Sequence, residues 1–383
     1  MYNFVYHNPV RILFGGNTIA QLPTLLPAGG RVLMTYGQGS IRRNGVYQQV
    51  KRALQGWPLL EFGGLEANPR YETCLQAVDL CRREGVQFIL AVGGGSVLDG
   101  SKFIAAATLF AGDPWSILTK QAMVERALPL GCVLTLPATG SEMNGFSVIS
   151  RESTQEKFGF GSPHLYPAFS ILDPNTTFSL DNRQVGNGIV DTFVHVLEQY
   201  LTQPAQAPLQ DRQAEAILLT LVEEAPKVFT TPDDYDVRAN LMWCATLGLN
   251  GLIGCGVPQD WSTHLIGHEL TALYGLDHGQ SLAVVLPGVW QYNRAAKQEK
   301  LLQYARRVWG MHDESAESLT TAAIERTESF FREVGVKTRL SEYGIGPEAP
   351  QAVADRLTAR RVQLGEGGNI DGEAVAAILR MRL

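Results

Sequence analysis

Five short apolar runs, separated by stretches of helical period, occupy the first half of this 383-residue chain. They are Arg31–Tyr36, Leu59–Gly63, Phe88–Val92, Cys132–Leu136 and Phe169–Leu172, and Gly, Pro or Asn-Pro follows each closely. A strand that is apolar at nearly every position has both faces covered, which predicts a parallel sheet with helices on each side. Ligands of such sheets gather at the carboxyl ends of the strands. After Asp173-Pro174 the runs stop. From Asp181 onward apolar residues recur at helical period, with segments Asp211–Pro226, Arg238–Leu252, Pro258–Tyr274 and Gln298–Trp309. The order predicts an α/β domain over 1–176 and an all-helical domain over 177–383. A cleft between two such halves is the expected ligand site.

Composition narrows the class. Net charge is −6, with 32 Lys and Arg, so nothing argues for nucleic acid or an anionic membrane as partner. The longest uncharged stretch near Ala239–Gln259 is broken by Gly248, Gly251, Gly254 and Gly256, which predicts a buried helix ending in a glycine-rich turn and not a membrane span. Met1–Gly16 lacks the cationic and apolar blocks of a signal peptide. The five cysteines are odd in number and form no CxxC, which reads as reduced core residues in a cytoplasmic protein.

Two loops sit where a nucleotide would. Gly93-Gly94-Gly95-Ser96 follows a strand and opens a helix, so backbone N–H groups and the helix start favour a pyrophosphate. A tight turn with a Ser96-x-x-Asp99 capping box is the structural alternative, although it leaves three consecutive glycines unexplained. The loop Gly37-Gln38-Gly39-Ser40 follows the first run and has no acid for ribose hydroxyls. It offers Ser40, Arg42 and Arg43, which suit a 2′-phosphate or a solvated surface equally. A third loop, Thr135–Glu142, is rich in hydroxyls.

Asp191 and His195 stand four residues apart, on one face of an apolar helix, where a buried carboxylate must be paired or bind a metal. His264 and His268 repeat the spacing after Pro258, and His278 follows in Gly275-Leu276-Asp277-His278-Gly279. One carboxylate with two or three imidazoles from different elements fits Zn²⁺ or Fe²⁺. The order of residues is not the HExxH of zinc proteases.

These segments, with Asn8–Gly15, Asn187–His195 and Gly256-Val257-Pro258-Gln259-Asp260-Trp261, resemble the iron-containing (group III) alcohol dehydrogenases, in the branch of NADPH-dependent aldehyde reductases and butanol dehydrogenases. The resemblance covers nearly the whole chain. It implies a Rossmann-like N-terminal domain, an all-helical C-terminal domain as in dehydroquinate-synthase-like folds, and reversible NADPH-linked reduction of small aldehydes to primary alcohols. It places Asp191, His195, His264 and His278 as ligands of one divalent metal, zinc or iron. His268 falls near the reacting centre as a proton relay. Cofactor contacts fall on Gly37, Gly39, Ser40, Arg43, Asn68, Gly94, Gly95, Ser96, Asp99, Thr135, Thr139, Asn144 and Lys157. Gln38 departs from a glycine usual in close relatives. The family also implies a cytoplasmic homodimer, with Phe4–Phe14 carrying the alternation of a strand that pairs between copies. Two other classes remain: a non-redox metal-dependent hydrolase or lyase on the same fold, and a non-catalytic nucleotide-binding protein. Trp261, Phe146 and Leu252 are candidates for a substrate pocket wall or plain core residues.

Overall fold

The five runs all become strands of one parallel sheet in the computed structural model, which describes residues 1–312 and 315–383. The strands are β1 (Arg11–Phe14), β2 (Val32–Tyr36), β3 (Leu59–Phe62), β4 (Phe88–Gly94), β5 (Leu130–Leu136) and, after a hairpin of β6 (Phe146–Arg151) and β7 (Glu156–Gly161), β8 (Phe169–Leu172). Their spatial order is β1-β8-β5-β4-β2-β3, with every neighbouring pair parallel. Every residue of β2 and β8 is buried, as the uninterrupted apolar pattern requires, whereas the edge strand β3 is half-buried throughout. Only the last part of the alternating N-terminal stretch forms a strand, at the sheet edge beside β8. The antiparallel β6–β7 hairpin was not expected from the sequence.

Helices cover both faces. They are α1 (Ser40–Arg43), α2 (Val46–Ala53), α3 (Tyr71–Glu84), α4 (Gly95–Leu109) and α5 (Trp115–Leu118). One apolar cluster joins α3 and α4 to one sheet face, through residues such as Val78, Phe103, Ile104 and Leu134. A second joins α2 and the Thr18–Thr24 turn to the other, through Leu22, Val50, Leu90 and Ile171. The register between β4 and β5 slips at Gly93/Gly94, so β4 ends in a bulge directly before α4 begins.

The remaining helices are α6 (Asn182–Tyr200), α7 (Pro208–Glu224), α8 (Tyr235–Gly248), α9 (Ser262–Tyr274), α10 (His278–Tyr292), α11 (Gln298–Arg307), α12 (Ala316–Glu333), α13 (Ala349–Ala359) and α14 (Gly372–Arg380). Helix α10 packs against α6, α9, α12 and α14. Gly279 lets α10 approach α6, since a Cβ there would lie 2.4 Å from the Asn187 carbonyl oxygen.

Chain contacts divide the residues into a sheet unit, His7–Leu180 with Pro232–Thr246, and a helical unit, Met1–Tyr6, Asp181–Thr231 and Leu247–Leu383. The main break falls between Leu180 and Asp181, and two short segments are exchanged across it. Tyr2 N–H donates to the Gly256 carbonyl at 2.8 Å, which ties the first residues to the helical unit. Most of α8 belongs with the sheet unit: the Trp243 ring meets Phe14 edge-on at 5.8 Å, and Thr246 Oγ1 donates to Glu142 Oε1 at 2.6 Å. Among the described residues no helix is long and apolar enough to cross a membrane. All five cysteines are buried and none is in a disulfide.

Candidate metal centre and cofactor loops

Helix α6 starts at the Asp181 cap, whose Oδ1 accepts the Gln184 N–H at 2.8 Å, and is buried on every side from Gly188 to its end. That burial places Asp191 and His195 inside the protein, one turn apart. Helix α9 brings in His264 near its first turn. His278 is the first residue of α10, and its backbone is fixed by Asp277, which caps the helix in a reciprocal pair with Gln280. Asp277 Oδ2 also accepts from Arg183 Nη1 at 2.7 Å and Asn187 Nδ2 at 2.9 Å, so α6 itself sets the start of α10.

The four side chains converge, with one ligand atom from each within 4.8 Å of the others. Asp191 Oδ1 lies 3.5 Å from His195 Nε2, 3.7 Å from His264 Nε2 and 3.5 Å from His278 Nε2. These separations are at or beyond the limit of a hydrogen bond. A tetrahedral ion with bonds of about 2.0–2.1 Å holds its ligand atoms roughly 3.3–3.4 Å apart, close to the three separations between Asp191 and the histidines. His264 Nε2 is buried and makes no hydrogen bond. The donor set, one carboxylate and three imidazoles, fits zinc or ferrous iron.

Electrostatics favour a cation here. Burial works against charge on His264, but the carboxylates of Glu198 and Asp191 outweigh it and raise the imidazole pKa to about 9. The site draws positive charge, and a metal ion would displace that proton.

Sequence reasoning missed Glu198. It lies on α6 three residues beyond His195, a helical spacing that could have flagged it. Glu198 Oε2 is hydrogen-bonded to His264 Nδ1, while Oε1 accepts the Thr263 N–H at 2.7 Å. This carboxylate fixes which imidazole nitrogen faces Asp191 and which carries the proton, as carboxylate partners of metal-ligating histidines do. His268 lies next to the group without joining it; its ring is 5.4 Å from His278 and 6.4 Å from His264. Trp261 presents its ring edge-on to His264 at 5.3 Å and is half-buried. Phe146 is largely exposed.

In the sheet unit the glycine-rich segments come together at the carboxyl ends of β2, β4 and β5. A Cβ on Gly93 would meet Val97 at 2.5 Å, one on Gly94 would meet Leu136 at 2.8 Å, and one on Gly95 would meet Thr139 at 2.4 Å. The glycines thus let the Thr135–Asn144 segment close onto the start of α4. Gly37 approaches Leu65 and Val97, and Gly39 precedes α1 at φ +102° with open space where a Cβ would be. Ser96 Oγ donates to the Ala67 carbonyl, and Lys157 Nζ donates to Asn68 Oδ1 at 3.0 Å, so Ser96, Asn68 and Lys157 lie around one loop. Ser40 and Arg43 are exposed at α1. Arg42 is engaged: it bonds the Tyr36 hydroxyl, lies over the Tyr36 and Tyr47 rings and pairs with Glu61 at 3.6 Å.

Ser96 and Asp99 do not form the capping box that their spacing allows. Helix α4 begins at Gly95 with Gly94 as its cap residue, so Ser96 lies two residues past the cap position, inside the first turn. Asp99 instead accepts from Ser141 Oγ at 2.7 Å and the Val148 N–H at 2.9 Å. Beneath it lies Lys102, fully buried and unforeseen, whose Nζ donates to Ser141 Oγ, to the carbonyl and Oδ1 of Asn144, and to the Phe146 carbonyl at 2.8–3.1 Å. Asp99 and Asn144 thereby build the loop; Thr135 is buried within it.

Residues 9–174 match the family described as iron-containing alcohol dehydrogenase, and residues 186–383 match its C-terminal domain. The chain is 54% identical over 374 residues to the NADPH-dependent aldehyde reductase YqhD of Escherichia coli (strain K12), covering 97% of each. It is 39% identical over 388 residues to a probable NADH-dependent butanol dehydrogenase of Bacillus subtilis (strain 168), covering all of both. A crystal structure of YqhD from E. coli K-12 superposes with a TM-score of 0.98 at 52% identity, over 100% of this chain and 99% of that one. For NADH-dependent butanol dehydrogenase A from Thermotoga maritima the TM-score is 0.96 at 37% identity, with 100% and 99% covered. The chain belongs to the iron-containing alcohol dehydrogenase family.

Proposed function

We propose that this protein reduces small aldehydes to primary alcohols with NADPH at a centre holding one zinc or iron ion. The observation that carries the reading is the convergence of His195, His264 and His278 on one oxygen of Asp191. When bound, such an ion polarises a carbonyl as a Lewis acid, and reduced nicotinamide supplies hydride. The chain's own part is to hold and orient. Asp191, His195, His264 and His278 hold the ion, and Glu198 locks the His264 ring. His268, buried beside them, is the group that moves a proton to the product alcohol, directly or through water. Trp261 packs against the ligand rings and excludes water from that side.

In the sheet unit, Gly94, Gly95 and Ser96 at the start of α4 take the pyrophosphate on backbone N–H groups, with Thr139 beside them. Asn68, Lys157, Gly37 and Gly39 line the same loops, and Asp99, Thr135 and Asn144 shape them. Ser40 and Arg43 take the 2′-phosphate; the loop offers no acid to repel it. The resemblance to a relative named as NADPH-dependent supports that choice over NADH. Both matched family descriptions are of alcohol dehydrogenases, which favours redox chemistry over a hydrolase or lyase. The same reading includes a cytoplasmic homodimer; β1 is an edge strand, and Tyr2, Phe4 and Val5 are exposed.

The test is NADPH oxidation with a panel of short aldehydes, before and after chelation. Turnover that needs the metal and prefers NADPH is expected. Turnover that survives complete metal removal contradicts the reading.

A further inference from the structure

Asp260 belongs to the Gly256–Trp261 segment singled out in the sequence, yet it is not among the four ligands. It is buried, and its partner is a buried lysine far along the chain. Lys297 Nζ lies 2.9 Å from Asp260 Oδ2, 2.9 Å from Glu366 Oε1 and 2.7 Å from the Leu201 carbonyl oxygen. An ammonium has three donors, and all three are used. Leu201 is the C-cap of α6, and Asp260 stands two residues before α9. Three of the four ligands ride on those two helices.

The link to the ligands continues on the other side of Asp260. Its Oδ1 accepts the Ser262 N–H at 3.1 Å, and its own N–H donates to the Glu198 carbonyl at 2.8 Å. Glu198 in turn accepts the Thr263 N–H and bonds the His264 ring. The first turn of α9, which carries His264, is therefore held by two buried carboxylates. Lys297 is the cation that lets one of them stay ionised away from water. Glu366 completes the clamp and accepts the Gln203 N–H at 2.6 Å, fixing the chain just past α6.

We infer that Lys297, acting through Asp260, is a positioning residue for the metal centre: it fastens the end of α6 to the start of α9 and so presets His264 for the ion. Without it, Asp260 loses its counter-charge, the turn before α9 loosens, and metal binding must order His264 at its own expense. The inference rests on the proposed metal centre.

The experiment is a zinc titration of metal-depleted full-length protein against a chromophoric chelator. It compares the unchanged chain with Asp260→Asn, Lys297→Met and the double variant. Asn keeps an oxygen for the Ser262 N–H but removes the charge. Each single variant is expected to bind zinc about tenfold more weakly, in the range seen when outer partners of metal ligands are lost. The double variant is expected to bind no more weakly than the weaker single one, because the two residues act as one unit. Zinc affinity within twofold of the unchanged chain in Asp260→Asn, or additive losses in the double variant, overturns the inference. Should Lys297→Met fail to fold, Asp260→Asn alone decides by the same threshold. An unchanged chain that takes up no zinc overturns the metal centre itself, a separate outcome from intact binding that ignores the clamp.

Discussion

Lys102 in the sheet unit and the Asp191 group in the helical unit are both buried polar clusters, but they are assembled on different terms. Around Lys102 every contact is a hydrogen bond of ordinary length, from one ammonium to four oxygens, with Asp99 tied in through Ser141. Burial lowers the Lys102 pKa to about 8, with Asp99 opposing it, and the network needs nothing from outside. Around Asp191 three imidazole nitrogens face one carboxylate oxygen at 3.5–3.7 Å. That spacing suits a shared ion better than it suits the groups alone. A buried cluster closed by its own bonds is scaffold, and one held open at ligand spacing is a site.

If the comparison holds, damage to the two clusters will have different signatures. Lys102→Met removes the buried donor that these oxygens share and is expected to cost about 3 kcal/mol of stability, read from denaturant unfolding, while metal content stays unchanged. Metal loss from that variant would break the distinction. Glu198→Gln should do the reverse: a loss of about 10–100-fold in metal affinity with a smaller stability change, measured by chelator competition.

The smallest effect concerns a closed cluster inside the helical unit. Glu328 accepts from Arg382 Nη2 at 2.8 Å and from Thr338 Oγ1 at 2.6 Å. Burial pushes its pKa up, but these partners and Arg339 outweigh burial and lower it. Its stabilisation is therefore present above the ordinary glutamate range and is lost as pH falls through the depressed native pKa. Glu328→Gln should be less stable than the unchanged chain by about 1 kcal/mol at pH 7. The two should converge in acid, with metal content constant. A gap that persists in acid would remove Glu328 from the account.

Much of this was readable in the sequence because local pattern carried it. Short apolar runs closed by Gly or Pro read as strands covered on both faces, and Asp191 and His195 share a helix face at any rotation of that helix. What escaped depends on how distant segments dock. Glu198 matters because the start of α9 lands on it; its spacing from His195 puts it on the right face of α6 but does not reveal that contact. Lys102 sits in an apolar helix where a lysine reads as an exposed residue. The β6–β7 hairpin was missed because its strands mix polar residues with glycine. The Ser96-x-x-Asp99 capping alternative does not form, because α4 starts two residues earlier than its spacing assumes. The contact units exchange short segments, 1–6 and 232–246, across the expected boundary, because each packs with the unit it does not adjoin in sequence.

The most direct measurement is metal content by emission spectroscopy on purified protein beside a His264→Ala variant of matching circular dichroism. The account predicts close to one equivalent of zinc or iron in the unchanged chain and almost none in the variant. A metal-free unchanged chain, or a variant with full occupancy, would contradict it.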